Sequence, residues 1–260
     1  MKLKTLQASI FRPVLLAAIV AANFNTVILA RNADELHYLK VGQLDAAELL
    51  APPPIQGSPE QDADMSSVKA VHKACGTNEA AVAISEKKFS VFNFAPAIGQ
   101  FFQPGKLPKT ESFFERLQEE AAVVTDHAKL HWKRPRPYTI DPSLASGKLE
   151  KSFSYPSGHS TEATVLALVL ADLFPSRRDD VLAVGRGLGW HRVLIARHYP
   201  TDIYAGRVLA RAIVREMKLN TDFQRDFAEA RLEIQAAQAT QLKSPGHAAL
   251  DSVESQPVAK

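Results

Sequence analysis

Residues 155–174 read YPSGHSTEATVLALVLADLF, and this stretch largely sets the expected fold. Residues 160–174 are predicted to form a strongly apolar helix. Pro, Ser and Gly just before it are the usual residues of a capped helix start. The free N–H groups and positive dipole end of such a start also form an anion site, and Gly158 lets a ligand approach the backbone. A histidine placed there, as His159 is, can donate a proton to a leaving group.

Helical periodicity extends over most of the chain, whereas alternating runs of β-branched residues are scarce. Further helices are predicted for residues 62–86, 111–130, 177–188, 201–218 and 221–242. Three consecutive prolines, at 52–54, followed by a Gly-Ser-Pro turn predict an extended surface segment. With 260 residues, 46% of them hydrophobic, the chain is long enough to bury a core. We therefore expect an all-α, single-domain helical bundle.

The two ends of the chain differ from this bundle. Residues 1–30 have a basic start, an apolar run and small residues at possible cleavage sites. This pattern predicts a signal peptide and export to the periplasm or the medium. An uncleaved anchor is the alternative, although the run is short for a span of about 20 residues. Removing the three cations of this segment cancels the net charge of +3, so no global basic field favours nucleic acid. Residues 31–242 form the predicted helical domain, and residues 243–260 a disordered tail.

A basic stretch, KLHWKRPRP, covers residues 129–137. Lys129 stands near the end of a predicted helix, and Pro135 prevents that helix from continuing normally. Arg136 is therefore presented from a rigid turn between two prolines. Its guanidinium can bind two phosphate oxygens at once, with the Lys129 ammonium as a point charge beside it. For Lys133 and Arg134 the simpler interpretation is a solvated basic helix end.

Another stretch, HRVLIARHYPTD, covers residues 191–202. His198 lies four residues before Asp202, so the carboxylate can accept a hydrogen bond from one ring nitrogen. The other nitrogen is then a basic and correctly aimed lone pair. A helix-capping contact explains an isolated His–Asp pair equally well. The pair is a poor metal ligand set, and the single cysteine, Cys75, excludes both a cysteine-based zinc site and an internal disulfide.

Together the three stretches hold the parts that phosphoryl transfer requires. Such a reaction needs positive charge around the equatorial oxygens, an in-line nucleophile and an acid for the leaving group. The chain supplies three cations (Lys129, Arg136 and Arg192), a helix N-terminus and two histidines, one of which has a carboxylate partner. The residues themselves do not decide which histidine attacks.

The same residues resemble a three-part signature, that of the type 2 phosphatidic acid phosphatase superfamily. The matching motifs are Lys129–x6–Arg136-Pro137, Pro156-Ser157-Gly158-His159 and Arg192–x5–His198–x3–Asp202. This superfamily joins bacterial class A non-specific acid phosphatases, membrane lipid phosphatases and vanadium haloperoxidases. Residues 48–64 are also similar to the amino-terminal segment of the class A enzymes. One departure is His191, which stands where the family usually has Ser and can alter the pH dependence or substrate preference.

The resemblance implies a helical bundle of the acid phosphatase/vanadium haloperoxidase type and a role for each site residue. His198 becomes a phosphohistidine and is oriented by Asp202, while His159 protonates the leaving alcohol and then activates water. The phosphoryl oxygens are bound by Lys129, Arg136, Ser157, the Gly158 amide and Arg192. The implied enzyme is an acid phosphatase that acts on small-molecule phosphate monoesters without a metal or other cofactor, as a homo-oligomer. A bound dianion raises the pKa of both histidines, which predicts an acidic optimum.

Three other functions compete with this prediction. A vanadium-dependent haloperoxidase would place vanadate in the same pocket, but such enzymes are generally larger. A periplasmic phosphate-binding protein would not require a proton donor opposite a nucleophile. A membrane-associated lipid phosphate phosphatase is disfavoured because membrane spans are missing from the predicted mature chain. Residues 89–102, which are rich in Phe, could line the pocket, pack in the core or contact a subunit, and we expect the core.

Overall fold

The computed structural model describes residues 36–40 and 42–242, so the predicted signal peptide (residues 1–30) and tail (residues 243–260) lie outside the described residues. The described part is helical and contains no β-strand, which confirms the all-α prediction. Its α-helices are α1 (Ala46–Leu49), α2 (Pro59–Ala74), α3 (Thr77–Ser85), α4 (Ala95–Ile98), α5 (Pro108–Trp132), α6 (Pro137–Ile140), α7 (Gly158–Leu173), α8 (Arg178–Leu194), α9 (Pro200–Met217) and α10 (Thr221–Leu242). Short 3-10 helices cover Val91–Phe94, Pro142–Leu144 and Pro175–Arg177.

Two differences from the predicted helix boundaries exceed three residues. The single helix expected over residues 62–86 is wrong, because α2 ends at Ala74 and α3 begins at Thr77. Cys75 and Gly76 between them have extended backbones, with ψ of 123° and 157°. Glycine loses more backbone entropy in a helix than other residues do, which makes this a natural point for a break. Helix α8 runs past the predicted residue 188 and ends at Leu194, so its last turn carries Arg192.

Helix α7 is the centre of the bundle and packs against α5, α8 and α9. Small residues allow the close approach of its neighbours. A Cβ atom on Gly206 of α9 would lie 2.7 Å from the carbonyl oxygen of Ser157, just before α7, and one on Gly185 of α8 would lie 2.6 Å from Cβ of Ala167. None of the described helices is both long enough and apolar enough to span a bilayer.

The segment before α1 is fastened to α5 by one buried carboxylate. The Glu120 side chain accepts the backbone N–H groups of His37, Tyr38 and Leu39 at 2.7–2.9 Å. The ring of Tyr38 packs edge-on against Phe113, with 6.0 Å between ring centroids. The amino-terminal end of the described chain is thereby held to the bundle by hydrogen bonds and aromatic packing together.

The phenylalanine-rich segment over residues 89–102 contributes mainly to the core, as expected. Phe94 and Phe102 are fully buried, and Phe92 is 9% exposed. Phe89 has an additional neighbour, because its ring centroid lies 5.6 Å from that of His159. This part of the core therefore reaches one of the predicted site residues.

Candidate active site

The end of α5 and the turn after it hold the first group of site residues. Lys133 adopts the left-handed conformation (φ 50°) and ends the helix, and its N–H donates to the Lys129 carbonyl. The chain then turns, and the Arg136 side chain is buried. Its Nε donates to the Ser152 carbonyl at 2.7 Å, and its Nη1 lies 3.2 Å from Nε2 of His198. The fork of Arg136 thus faces the predicted nucleophile.

The start of α7 contributes the second group. The Ser157 side chain caps the helix by accepting the N–H of Ser160, and the Ser157 N–H donates to the Asp202 carbonyl at 3.1 Å. A Cβ atom on Gly158 would lie 3.3 Å from Nζ of Lys129, so the missing side chain leaves room for this ammonium. The predicted anion site at the helix start therefore has a cation beside it. The Ser157 hydroxyl itself is fully buried and occupied with the cap.

His198 is oriented by a carboxylate that has several donors of its own. Asp202 Oδ2 lies 3.3 Å from Nδ1 of His198 and accepts the Ser154 hydroxyl at 2.5 Å and the Tyr199 N–H at 2.9 Å. A carboxylate only accepts, so in the neutral ring Nδ1 carries the proton and Nε2 has the lone pair. This is the arrangement that the spacing of His198 and Asp202 predicts.

Both histidines lie in a strongly positive environment. Burial lowers the pKa of His198 well below its ordinary value, and the charges of Arg136 and Lys129 lower it further. Burial likewise lowers the pKa of His159 to about 3, followed by the charges of Arg192 and Lys129. In the ligand-free protein, both rings are therefore neutral at mildly acidic pH.

His159 is held by the segment that follows α3. Its Nε2 lies 3.2 Å from the Lys87 carbonyl, and its ring contacts Phe89. Because a carbonyl oxygen only accepts, the neutral ring carries its proton on Nε2, and Nδ1 is the nitrogen left for the site.

Arg134 is a correction to the sequence analysis, which assigned it to a solvated helix end. Its side chain is 4% exposed and lies 2.6 Å from Asp202 Oδ1 and 2.7 Å from Asp64 Oδ2. It also donates to Gln61 at 2.6 Å and stacks over the Tyr199 ring at 3.9 Å. Arg134 therefore supports the carboxylate that orients His198. No local signal reveals this role, since Asp64 and Asp202 lie 70 and 68 residues away in the chain.

Two acidic side chains next to the cradle were also not identified from the sequence. Glu150 accepts from Nη2 of Arg192 at 2.5 Å. Glu162 accepts from Gln118 at 3.0 Å, and its Oε1 would lie 3.4 Å from a Cβ atom on Gly158. Burial raises the pKa of Glu162 to about 7. An acid within the apolar stretch of α7 was the available signal for Glu162, whereas Glu150 lies in an irregular loop and gives none.

His191, the departure from the usual motif, has an acidic partner. Its Nδ1 lies 2.6 Å from Oε2 of Glu86, and this hydrogen bond raises the pKa of His191. Glu86 directly precedes Lys87, whose carbonyl contacts His159. The pair therefore ties α8 to the segment that holds His159.

The structure thus brings together the predicted cations Lys129, Arg136 and Arg192, both histidines, Asp202 and the Gly158 backbone, with Ser157 behind them as the helix cap. Their mutual contacts and electrostatic couplings define a single cradle. Within the residues described, no group of three or more His, Cys, Asp or Glu side chains could hold a metal ion. The cations and the helix start are the groups suited to binding a tetrahedral anion.

In sequence, the chain matches one family model and several bacterial phosphatases. The family model described as PAP2 superfamily matches residues 120–225. An acid phosphatase of Zymomonas mobilis subsp. mobilis is 30% identical over 200 residues, which cover 74% of this chain and 76% of the relative. A non-specific acid phosphatase of Providencia stuartii is 29% identical over 210 residues, covering 76% of this chain and 85% of the relative. A solved transmembrane PAP2-type phosphatidylglycerolphosphate phosphatase from Bacillus subtilis is 18% identical, with a TM-score of 0.46 over 77% of this chain and 93% of its own.

Proposed function

The chain belongs to the PAP2 superfamily and is homologous to the bacterial non-specific acid phosphatases, and from this premise we propose that it hydrolyses small phosphate monoesters through a phosphohistidine on His198, without a metal ion. The observation that carries the proposal is the position of the His198 lone pair. Nε2 lies 3.2 Å from the Arg136 fork, and the opposite ring nitrogen faces Asp202. A phosphoryl group that took up the Nη1 donor of Arg136 would come within reach of this lone pair.

In the first step, the Nε2 lone pair of His198 forms the N–P bond as the ester P–O bond breaks. The electron pair of that bond stays on the leaving oxygen, which takes a proton from Nδ1 of His159; this ring has first received that proton from the bound monoanionic substrate. In the second step, Nδ1 removes a proton from water while the water oxygen bonds to phosphorus. The N–P bond breaks, its electron pair returns to Nε2, and inorganic phosphate leaves.

The cations and the helix start stabilise the charge on the equatorial oxygens during both steps. Lys129, Arg136 and Arg192 are all less than 9% exposed, so their charges act in a medium of low dielectric constant. Such a cradle supplies the electrostatic stabilisation that a metal ion gives in other phosphatases. Activity that survives exhaustive chelation and does not rise on adding Mg²⁺ or Zn²⁺ supports this part of the proposal; strict dependence on an added metal contradicts it.

The pH optimum follows from the low pKa of His159. With a pKa of about 3, His159 of the free enzyme is unprotonated at mildly acidic pH and does not hold the proton that the leaving group needs. A phosphate monoester monoanion, whose second pKa is about 6, can bring that proton into the cradle, where the dianion then raises the pKa of the ring. We expect kcat/KM to fall above the second pKa of the substrate, which gives an acidic optimum. A rate maximum above neutrality contradicts this expectation.

Trapping the intermediate is the direct test of the mechanism. A ³²P-labelled aryl phosphate is mixed with the enzyme and quenched in alkaline detergent, in which a phosphoramidate bond survives. Label is expected on the peptide containing His198, and none with His198→Ala. With His159→Ala and an activated leaving group, label is expected to accumulate because the second step lacks its base. Turnover by wild-type enzyme without any labelled histidine would refute the phosphohistidine.

We also propose that the protein is exported by cleavage of residues 1–30 and that it functions as a homo-oligomer. The composition of residues 1–30 supports export, and the family resemblance supports the oligomer. Amino-terminal sequencing of the protein recovered from the periplasm or medium tests the cleavage. Light scattering of the purified protein tests the oligomer. A full-length cytoplasmic product or a monomeric mass, respectively, contradicts each statement.

A further inference from the structure

A carboxylate already occupies part of the phosphoryl-binding cradle. Glu150 lies in the loop between the Pro142–Leu144 turn and α7, and its side chain reaches the guanidinium groups of three arginines. Oε1 accepts from Arg192 at 2.5 Å, while Oε2 lies 3.3 Å from Nε of Arg197 and 4.0 Å from Nη1 of Arg136. These arginines are 2%, 4% and 4% exposed, whereas the Glu150 side chain is 21% exposed. The acid therefore reaches from the edge of the site onto its buried cations.

Two of these cations, Arg136 and Arg192, are the ones assigned to the phosphoryl oxygens. Carboxylates and phosphates use the same guanidinium donors, often in the same two-pronged geometry. The donor of Arg192 that is bonded to Glu150 cannot bind a phosphoryl oxygen at the same time. Glu150 and a substrate are thus alternative partners for one set of donors.

The arginines have more donors than Glu150 satisfies. Among the described residues, Nε of Arg192 and Nη1 of Arg197 are buried without a hydrogen-bond partner, and Oε2 of Glu150 accepts no well-formed hydrogen bond. Buried donors of this kind are costly and are normally paired. A tetrahedral phosphoryl group presents three oxygens where a carboxylate presents two, so it can pair donors that Glu150 leaves unpaired.

We propose that Glu150 is an internal anion that occupies the arginine side of the cradle in the free enzyme and is displaced by the phosphoryl group of the substrate. This inference rests on the proposed function. Its consequence is that the observed affinity for phosphate is the intrinsic affinity reduced by the fraction of molecules in which the cradle is open. Glu150 is thereby a residue that sets KM and product inhibition, and it takes no part in bond making.

Equilibrium binding of inorganic phosphate is the test, because it does not depend on turnover. Wild-type protein and Glu150→Gln are compared by isothermal titration calorimetry, with Glu115→Gln as the matched control. Glu115 is exposed on the same helix as Lys129 and lies fourteen residues away, which is about 21 Å along the axis. We expect Glu150→Gln to lower Kd for phosphate about tenfold, as for a cradle open one tenth of the time. Glu115→Gln is expected to leave Kd unchanged.

Glu150 could instead serve to hold the arginines in position for the phosphoryl group, and this role predicts the opposite change in phosphate affinity. In that case Glu150→Gln and Glu150→Ala would weaken phosphate binding and raise KM. An unchanged or weaker affinity in a variant that unfolds at the wild-type temperature would therefore overturn the inference. If Glu150 is instead the displaced anion, KM for p-nitrophenyl phosphate is expected to fall in parallel with Kd in Glu150→Gln and in Glu150→Ala. If wild-type protein binds no phosphate at all, the proposed function itself fails, which is a separate outcome.

Discussion

Replacing Arg134 with methionine tests whether a buried ion network supports the catalytic dyad. The guanidinium lies 2.6 Å from Asp202 and 2.7 Å from Asp64, and all three side chains are no more than 4% exposed. Methionine has a similar length but no charge, so both carboxylates would stay buried without this cation. The hydrogen bond to Gln61 would be lost as well.

The expected loss of stability follows from these contacts. Removing one partner of a buried ion pair costs about 3–5 kcal/mol, because the remaining charge is left uncompensated. The cation–π contact with Tyr199, at 3.9 Å, adds about 1 kcal/mol. For a domain of this size, 1 kcal/mol corresponds to about 2–4 °C in Tm, so we expect Arg134→Met to lower Tm by about 10 °C or more. The rate should also fall, since Asp202 loses the partner on its second oxygen.

Thermal unfolding followed by circular dichroism measures the effect, with Arg177→Met as the control. Arg177 is 59% exposed, and its ion pair with Asp180 is 3.9 Å long, so we expect a change within about 0.5 kcal/mol. Adding Asp64→Asn to Arg134→Met neutralises one of the unpaired carboxylates and should restore part of the lost Tm. An Arg134→Met protein that unfolds within 2 °C of wild type, with an unchanged kcat, would refute the reasoning.

Three further changes test other parts of the structure. Arg136→Lys keeps the charge but loses the fork, and kcat/KM should fall by the equivalent of about 2–4 kcal/mol; a near-unchanged value would place Arg136 outside the reaction. His191→Gln removes the ion pair between His191 and Glu86. In the wild-type protein this pair raises the pKa of His191, so it stabilises the fold by about 1 kcal/mol below pH 6.5, and this stabilisation is lost as pH rises through the folded pKa. The variant should therefore be less stable than wild type at low pH and equally stable at high pH. Chemical denaturation from pH 5 to 9 checks this, and a difference from wild type that grows with pH contradicts it. Gly206→Ala should lower Tm and kcat, because the added Cβ would lie 2.7 Å from the Ser157 carbonyl, whereas Gly187→Ala, with no atom within 4 Å, should be neutral or stabilising. Equal Tm values for the two alanine variants would contradict the packing argument.

Features encoded within one turn or one helix were predictable from the sequence. The apolar run of α7 and the four-residue step from His198 to Asp202 depend on neighbours in the chain, and both have the expected geometry. The break at Gly76 was not predicted, because periodicity continues on both sides of it and glycine is tolerated in many helices. Local pattern therefore located the elements better than it located their ends.

Contacts with distant partners outside the three motifs were not predictable, even when the residues were conspicuous. Arg134 and Arg136 are the same type of residue, lie in one basic stretch and both adjoin Pro135. The sequence analysis nevertheless assigned them different roles and was wrong about Arg134. The roles depend on what the fold brings to each side chain: Asp64 from α2 for Arg134, and Glu150 from a loop for Arg136. A single sequence contains no record of those partners.

The contacts of the two arginines explain why both are needed around one dyad. Arg134 binds one oxygen of Asp202, the other oxygen faces Nδ1 of His198, and Nε2 of that ring faces Arg136. Residues two apart in the chain thus act at opposite ends of a single hydrogen-bonded row. The cation at the carboxylate end fixes Asp202 and, through it, the proton on Nδ1, while the cation at the imidazole end contacts the lone pair on Nε2. Pro135 restricts the backbone between the two arginines. A displacement of either arginine is therefore expected to change the orientation of the His198 ring and of its Nε2 lone pair.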